Sequence, residues 1–325
     1  MPAAVPVPGG WSRNGVLFVA VGQDGRLYRT EGMKADQVVR VEADGRTTVV
    51  ASDIRDLNGM AVDGQGNVFV SEDLLQEGSG KELQGRVVKF QPDGHQELVA
   101  SVASPSSVAV DGAGVVYVVD GLTSVERIVP GSPPEVIAQE PQVEPVGLAV
   151  GPSGELYISD RQHGTIWRRD SAGQMSALVA PGQVRNPTYL AVGRDGEVYV
   201  CQTGLGVFPW GLVGFQQALQ VPILIVDRGA TVHRLGLRAD SAVMAAQDVA
   251  VAPSGDLYLT DGSGVYVARA PLARVPVGSR AVWLLTLPIG AGLAVLGAGK
   301  LCGGFFLLVS NRRRQATSTR LRRSA

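Results

Sequence analysis

Alternating apolar residues flank a polar, glycine-containing tetrad again and again along this chain: SSVAVDGAGVVYVVD (106–120), VGLAVGPSGELYISD (146–160) and YLAVGRDGEVYV (189–200) are the clearest copies. FVAVGQDGRLY (18–28), GMAVDGQGNVFVSED (59–73) and DVAVAPSGDLYLTD (248–261) bring the number to six. The period of two predicts a pair of short strands, and the tetrad predicts a tight turn in which glycine takes a positive φ. With the alanine as origin, the copies fall at Ala20, Ala61, Ala109, Ala149, Ala191 and Ala250, spaced 41, 48, 40, 42 and 59 residues apart. Valine follows every alanine, glycine stands five residues on (Gly25, Gly66, Gly114, Gly154, Gly196, Gly255), and an aromatic ring stands three further (Tyr28, Phe69, Tyr117, Tyr157, Tyr199, Tyr258).

Each hairpin is followed by two more β-like runs, such as RVVKFQP (86–92) with QELVA (96–100), or TIWRRD (165–170) with SALVA (176–180). Four strands in about 42 residues is the size of a propeller blade. One such sheet cannot bury both faces alone, so blades must stack around an axis. The alanine and valine are expected to face that crowded axis, and the aromatic ring to fill the space between blades. The chain is therefore read as all-β, a six-bladed β-propeller over residues 1–278 followed by one C-terminal transmembrane helix. The last copy has little room for a fourth strand, so AAVPV (3–7) is expected to close the ring as an outer strand, where Pro6 and Pro8 are tolerated at an edge.

The unit resembles the NHL-repeat propellers, on Pro145, Gly147, Ala149, Val150, Gly154, Tyr157, Asp160, His163 and Ile166 of blade four. LNGMAVDGQGNVFVSED (57–73) is also similar to the Asn-Gly blade motif of gluconolactonase and senescence-marker lactonase-like propellers. The first resemblance implies a binding platform; the second implies a divalent cation such as Ca²⁺ on the axis. Asn58 matches one ligand position of that second family. PGGW (8–11) lacks its glutamate, and Gln247 stands where an acid is expected, with Asp248 displaced by one. One ligand of three is a poor metal site, so neither a metal nor another cofactor is assigned.

The start of strand one and the end of strand two open on one face, together with the loops joining strands two and three. Three residues before each alanine that face presents Leu17, Asn58, Ser106, Val146, Thr188 and Gln247; eleven after, it presents Glu31, Glu72, Asp120, Asp160, Gln202 and Asp261. A negative ring would attract a cation or a basic partner. Alternatively, each carboxylate accepts hydrogen bonds from its own strand two to strand three turn. Asn58, Glu72, Asp120, Asp160, Gln247 and Asp261 are the ligand-face candidates, and no catalytic residue is assigned. His95, His163 and His233 are expected in turns or loops at unrelated repeat positions, without a nucleophile partner. Two insertions complete the candidates: LLQEGSGKELQG (74–85), and residues 204–226, where Phe208, Trp210 and Phe215 either contact a partner or pack blade five against its neighbours.

Composition adds limits. With 18% charged and 45% hydrophobic residues the chain is not a disordered tail, and Cys201 and Cys302 are too few for a disulfide framework. Residues 281–299 carry no charge, and the apolar run resumes after Lys300 as far as Ser310, enough to span a bilayer. Residues 281–310 are accordingly read as the transmembrane segment, and the small residues Gly290, Ala294, Ala298, Gly299 and Gly303 offer a route to a homo-oligomer through it. Residues 311–325 hold six arginines and no acid, which places the tail in the cytoplasm and the propeller outside. Export needs a signal peptide, and MPAAVPVPGGWSRNG has neither a basic n-region nor an apolar h-region of sufficient length, so either the true N-terminus lies upstream or the protein is tail-anchored with the propeller in the cytoplasm; the first is preferred, because a short arginine-rich tail resists translocation. The net charge of −1 is a cancellation. Seven of the 29 basic residues lie in 300–325, leaving 22 against 30 acidic ones in 1–299, a net of −8. That acidic body disfavours nucleic acid and leaves a protein or small-molecule ligand, besides the lipid bilayer, as the partners.

Overall fold

A computed structural model describes residues 3–31, 36–74, 85–202, 222–237 and 246–277. These form six antiparallel sheets, the blades of an all-β six-bladed propeller. Blade one is β2 (Val19–Val21), β3 (Leu27–Glu31), β4 (Gln37–Val41) and β5 (Thr47–Ala51); blade two is β6 (Leu57–Val62), β7 (Val68–Asp73), β8 (Gly85–Phe90) and β9 (Gln96–Val102). Blade three is β10 (Pro105–Val110), β11 (Val116–Asp120), β12 (Ser124–Ile128) and β13 (Glu135–Gln139). Blade four is β14 (Pro145–Val150), β15 (Leu156–Asp160), β16 (Thr165–Arg169) and β17 (Met175–Ala177). Blade five has β18 (Pro187–Val192), β19 (Val198–Gln202), β20 (Leu224–Val226) and β21 (Val232–Gly236), and blade six has β22 (Asp248–Val251), β23 (Leu257–Thr260) and β24 (Gly262–Ala268).

The N-terminal segment closes the ring. β1 (Ala4–Val16) is the outer strand of blade six, with Ala4, Val5 and Pro6 opposite Ala268, Val267 and Tyr266. It also touches blade one, where the buried Arg29 donates from Nε to the Gly9 carbonyl at 3.0 Å. A second addition has no counterpart in the sequence reading: β25 (Ala273–Pro276) pairs with β21 and makes blade five a five-stranded sheet. His233, expected in a loop, lies within β21 opposite Ile225 and Pro276, because the apolar alternation around it continues the sheet.

All six tetrad glycines take the positive φ that the turn requires, between 78° and 85°. Register explains the alanine. In every blade it sits directly opposite the aromatic residue: Ala20–Tyr28, Ala61–Phe69, Ala109–Tyr117, Ala149–Tyr157, Ala191–Tyr199 and Ala250–Tyr258. Each ring then packs on the first two strands of the next blade; Phe69 lies with Val108, Val116 and Val118, and Tyr157 with Leu190, Val198 and Val200. The alanine therefore faces the seam between blades rather than the axis, and it is small because a ring lies across from it. The following valine, on the other side of the strand, packs into the preceding seam, as Val110 does with Phe69 and Val150 with Tyr117.

Hydroxyl groups fasten the seams. Ten residues after the alanine stand Thr30, Ser71, Val119, Ser159, Cys201 and Thr260. Ser71 and Ser159 donate to the carbonyls of Ser106 and Thr188 (2.6 Å) on strand one of the next blade round the ring, and Thr260 donates to that of Val16 (2.7 Å), the last residue of β1. Blade three carries Val119 at this position and holds its neighbour through Ser107, whose Oγ accepts the Leu148 N–H at 3.0 Å. Gly147 belongs to the same arrangement: a Cβ there would stand 2.3 Å from the Thr188 carbonyl oxygen. The expected transmembrane segment 281–310, the tail 311–325, the insertion residues 75–84, and Phe208, Trp210 and Phe215 lie outside the described residues. Among the described residues no helix is long and apolar enough to cross a membrane.

Candidate functional site

A β-bulge recurs in strand one of blades two to five, where the register slips between Leu57 and Gly59, Pro105 and Val108, Pro145 and Leu148, and Pro187 and Leu190. Beyond the bulge, the last residue of this stretch of strand two faces the entry of strand one: Glu72 opposite Leu57, Asp120 opposite Pro105, Asp160 opposite Pro145 and Gln202 opposite Pro187. Each of these four side chains accepts a backbone N–H from the loop that enters strand one of its own blade. The donors are Arg55 (2.6 Å), Ser104 (2.7 Å), Glu144 (3.4 Å) and Arg185 (3.1 Å). Prolines at three of the strand entries have no N–H to offer, so the side-chain oxygen of Asp120, Asp160 or Gln202 ties down the residues just before them.

The six positions diverge from this common role. Glu72 is 2% exposed and also pairs with Arg86. Asp160 is wholly buried and accepts from the His163 N–H (3.0 Å), the His163 ring (2.7 Å) and the Trp167 indole (2.9 Å). Here the strand two to strand three turn does supply donors, as it does at Asp261, which accepts from the Ser263 N–H and hydroxyl. Glu31 pairs with Arg29 at 3.4 Å. Gln247, beside Gly262, is half-buried, and its backbone N–H donates to the Thr260 carbonyl. The adjacent Asp248 turns inward and accepts the N–H groups of Val19 in blade one (2.9 Å) and Val249 (2.8 Å). Burial raises its pKa to about 7, against the pull of those two donors.

Negative charge gathers over blades two and three instead of spreading evenly. Asn58 donates from Nδ2 to Asp73 Oδ2 at 3.0 Å, while Asp73 Oδ1 is buried without a hydrogen-bond partner. Burial, followed by the charges of Asp56 and Asp120, raises the Asp73 pKa despite Asn58. Glu126 is raised by burial and then by Asp120. Asp73 and Glu126 escaped the sequence reading because neither stands at a repeated acidic position. Among the described residues, no three His, Cys, Asp or Glu side chains converge to hold a metal ion.

Two residues before the repeat alanine, aromatic rings from two blades meet at the axis. Phe18 of blade one and Tyr189 of blade five, two blades apart around the ring, meet edge to face with centroids 5.3 Å apart. The equivalent residues of the other blades are Gly59, Ser107, Gly147 and Asp248, so the two rings are the aromatic exceptions at this position. Burial and then the charge of Asp248 push the Tyr189 phenol above its ordinary range. At the other end of the axis, on the hairpin face, a cavity of about 270 Å³ opens among the turns of blades one, three, four and five, lined by Gln23, Val110, Asp111, Val150, Val192 and Arg194 among others.

No protein-family model and no curated protein matches the chain. Solved structures do. A gluconolactonase from Xanthomonas campestris shares 17% identity at a TM-score of 0.59, over 84% of this chain and 99% of that one. The calcium-binding protein regucalcin from Agrobacterium tumefaciens shares 11% at 0.58, over 82% and 93%. A virginiamycin B lyase from Staphylococcus aureus, solved with quinupristin, shares 11% at 0.54, over 82% and 99%. At such identities the likeness is one of fold: the chain is a six-bladed β-propeller of the architecture found in gluconolactonase, regucalcin and virginiamycin B lyase.

Proposed function

We propose that this protein is a membrane-anchored propeller that binds a protein or small-molecule ligand, without catalysis, on the face formed by the strand two to strand three loops. The observation that carries this reading is the commitment of the repeated acidic positions to the blades themselves. Glu72 and Asp160 are buried and saturated by donors of their own blade, and Asp120 and Gln202 hold strand entries. The anchor rests on the uncharged run 281–299 and the arginine-rich tail, which argue for a cytoplasmic tail and a propeller on the outer side.

One observation favours a second reading, a metal-dependent lactonase-like hydrolase or a lyase. Asn58 and Asp73 put two oxygen donors side by side, and Asp73 Oδ1 has no partner. The remaining groups do not complete the set. Glu72 is consumed by Arg55 and Arg86, Gln247 is neutral, and Asp248 accepts backbone N–H groups inside the seam. Elemental analysis of the purified full-length protein separates the two. Metal well below one equivalent per chain is expected; a stoichiometric divalent ion would favour the enzyme.

A further inference from the structure

The cavity on the hairpin face lies at the opposite end of the axis and does not depend on that reading. Its floor is the column of half-buried valines that follow the repeat alanines, here Val110, Val150 and Val192, and its walls are turn backbone from Gly151, Pro152, Gly154 and Gly193. Two charged groups stand at its mouth, and the repeat shows that the turns do not need them in this form.

Three residues after the alanine the six turns carry Gln23, Gly64, Gly112, Pro152, Arg194 and Pro253. Arg194 is the single charge at this position. It is exposed, lines the cavity and has no hydrogen-bond or ion-pair partner among the described residues. Asp111 stands one position earlier, where blade two has Asp63. Both use Oδ1 to accept two N–H groups of their own turn, Gln65 and Asn67 in one and Ala113 and Val115 in the other. In blade two the second oxygen is satisfied at 2.7 Å by the side chain of Asn67. In blade three the equivalent of Asn67 is Val115, so Asp111 Oδ2 is left without a partner among the described residues and lines the cavity.

We propose that this cavity binds a small zwitterion with an apolar side chain, of the size and charge pattern of an aliphatic α-amino acid. Arg194 would take the carboxylate and Asp111 Oδ2 the ammonium, while the aliphatic group lies on the valine floor. A guanidinium and a carboxylate are the strong partners for those two charges. The volume of about 270 Å³ lies just below the range of drug-sized sites, which restricts the occupant to a small molecule.

Calorimetric titration of the full-length chain with L-leucine, with leucinamide (no carboxylate) and with 4-methylpentanoate (no ammonium) tests the assignment. Leucine should bind saturably, and each analogue about tenfold or more weakly, as expected for one lost charge-assisted contact. Arg194→Gln should reduce leucine to the level of leucinamide, and Asp111→Asn to the level of 4-methylpentanoate. The asparagine keeps an Oδ1 for the turn, and an unchanged Tm in both variants confirms that the fold is intact. Absence of saturable leucine binding, equal affinity for the three compounds, or leucine binding that both variants leave unchanged would overturn it.

Discussion

Asp248 couples one proton to the joint between the last blade and the first. Its carboxylate is buried, accepts N–H groups from Val19 and Val249, and has a pKa of about 7. The folded chain thus holds this proton more tightly than the unfolded chain, whose aspartates titrate near ~3.9. The corresponding stability is fully present below about pH 4 and is lost as pH rises through about 7, a span of about 4 kcal/mol. Thermal melts should show Tm falling between pH 5 and pH 8, and Asp248→Asn should flatten that dependence; parallel curves for the two proteins would contradict it. Ser159 tests the seams in the same way. Its hydroxyl accepts the Gly147 N–H at 2.7 Å and donates to the Thr188 carbonyl at 2.6 Å with no exposure, so Ser159→Ala removes the side-chain partner of one buried and one half-buried backbone group. The expected cost in denaturant unfolding is about 1–3 kcal/mol. At this scale the glycine and aromatic positions were legible in the sequence because one local cause repeats six times. The hydroxyl position was not, because Val119 and Cys201 interrupt its column.

Closure of the ring is a property of elements. Blade six has only three strands from its own stretch of chain, and β24, which contains the buried Val265, Val267 and Ala268, would become an edge without β1. An uncovered apolar edge strand is both unstable and sticky. Deleting residues 1–10 should lower Tm by many degrees and promote aggregation; an unchanged melting curve would show that the pairing of Ala4 to Pro6 with β24 contributes nothing. The short apolar run AAVPV announced this strand, whereas β25 was invisible. ARVP is short, ends in proline and joins blade five from beyond blade six, and no local pattern encodes so distant a pairing. The same limit hid the acidic group over blades two and three: Asp73 of blade two meets Asp120 of blade three only because adjacent blades stack, while Glu126 reaches Asp120 from the neighbouring strand of blade three.

For the molecule as a whole, the proposed anchor and the charge asymmetry make one prediction. The acidic body and the arginine-rich end predict that a tag on the propeller of intact cells is accessible to external protease while a tag on residue 325 is protected. The reverse pattern would place the propeller in the cytoplasm. The fold was readable because it is six solutions of one packing problem. The site was not, since a shared architecture accommodates many functions and the residues that distinguish them do not repeat. Whether the acidic positions of the loop face serve the blades rather than a metal is decided by calorimetric titration of the metal-free full-length protein with Ca²⁺, Mn²⁺ and Zn²⁺, alongside Asn58→Ala and Asp73→Ala. Binding no tighter than millimolar is expected for all three ions, with no difference between the variants and the parent. One equivalent bound at micromolar affinity, and lost in either variant, would contradict it.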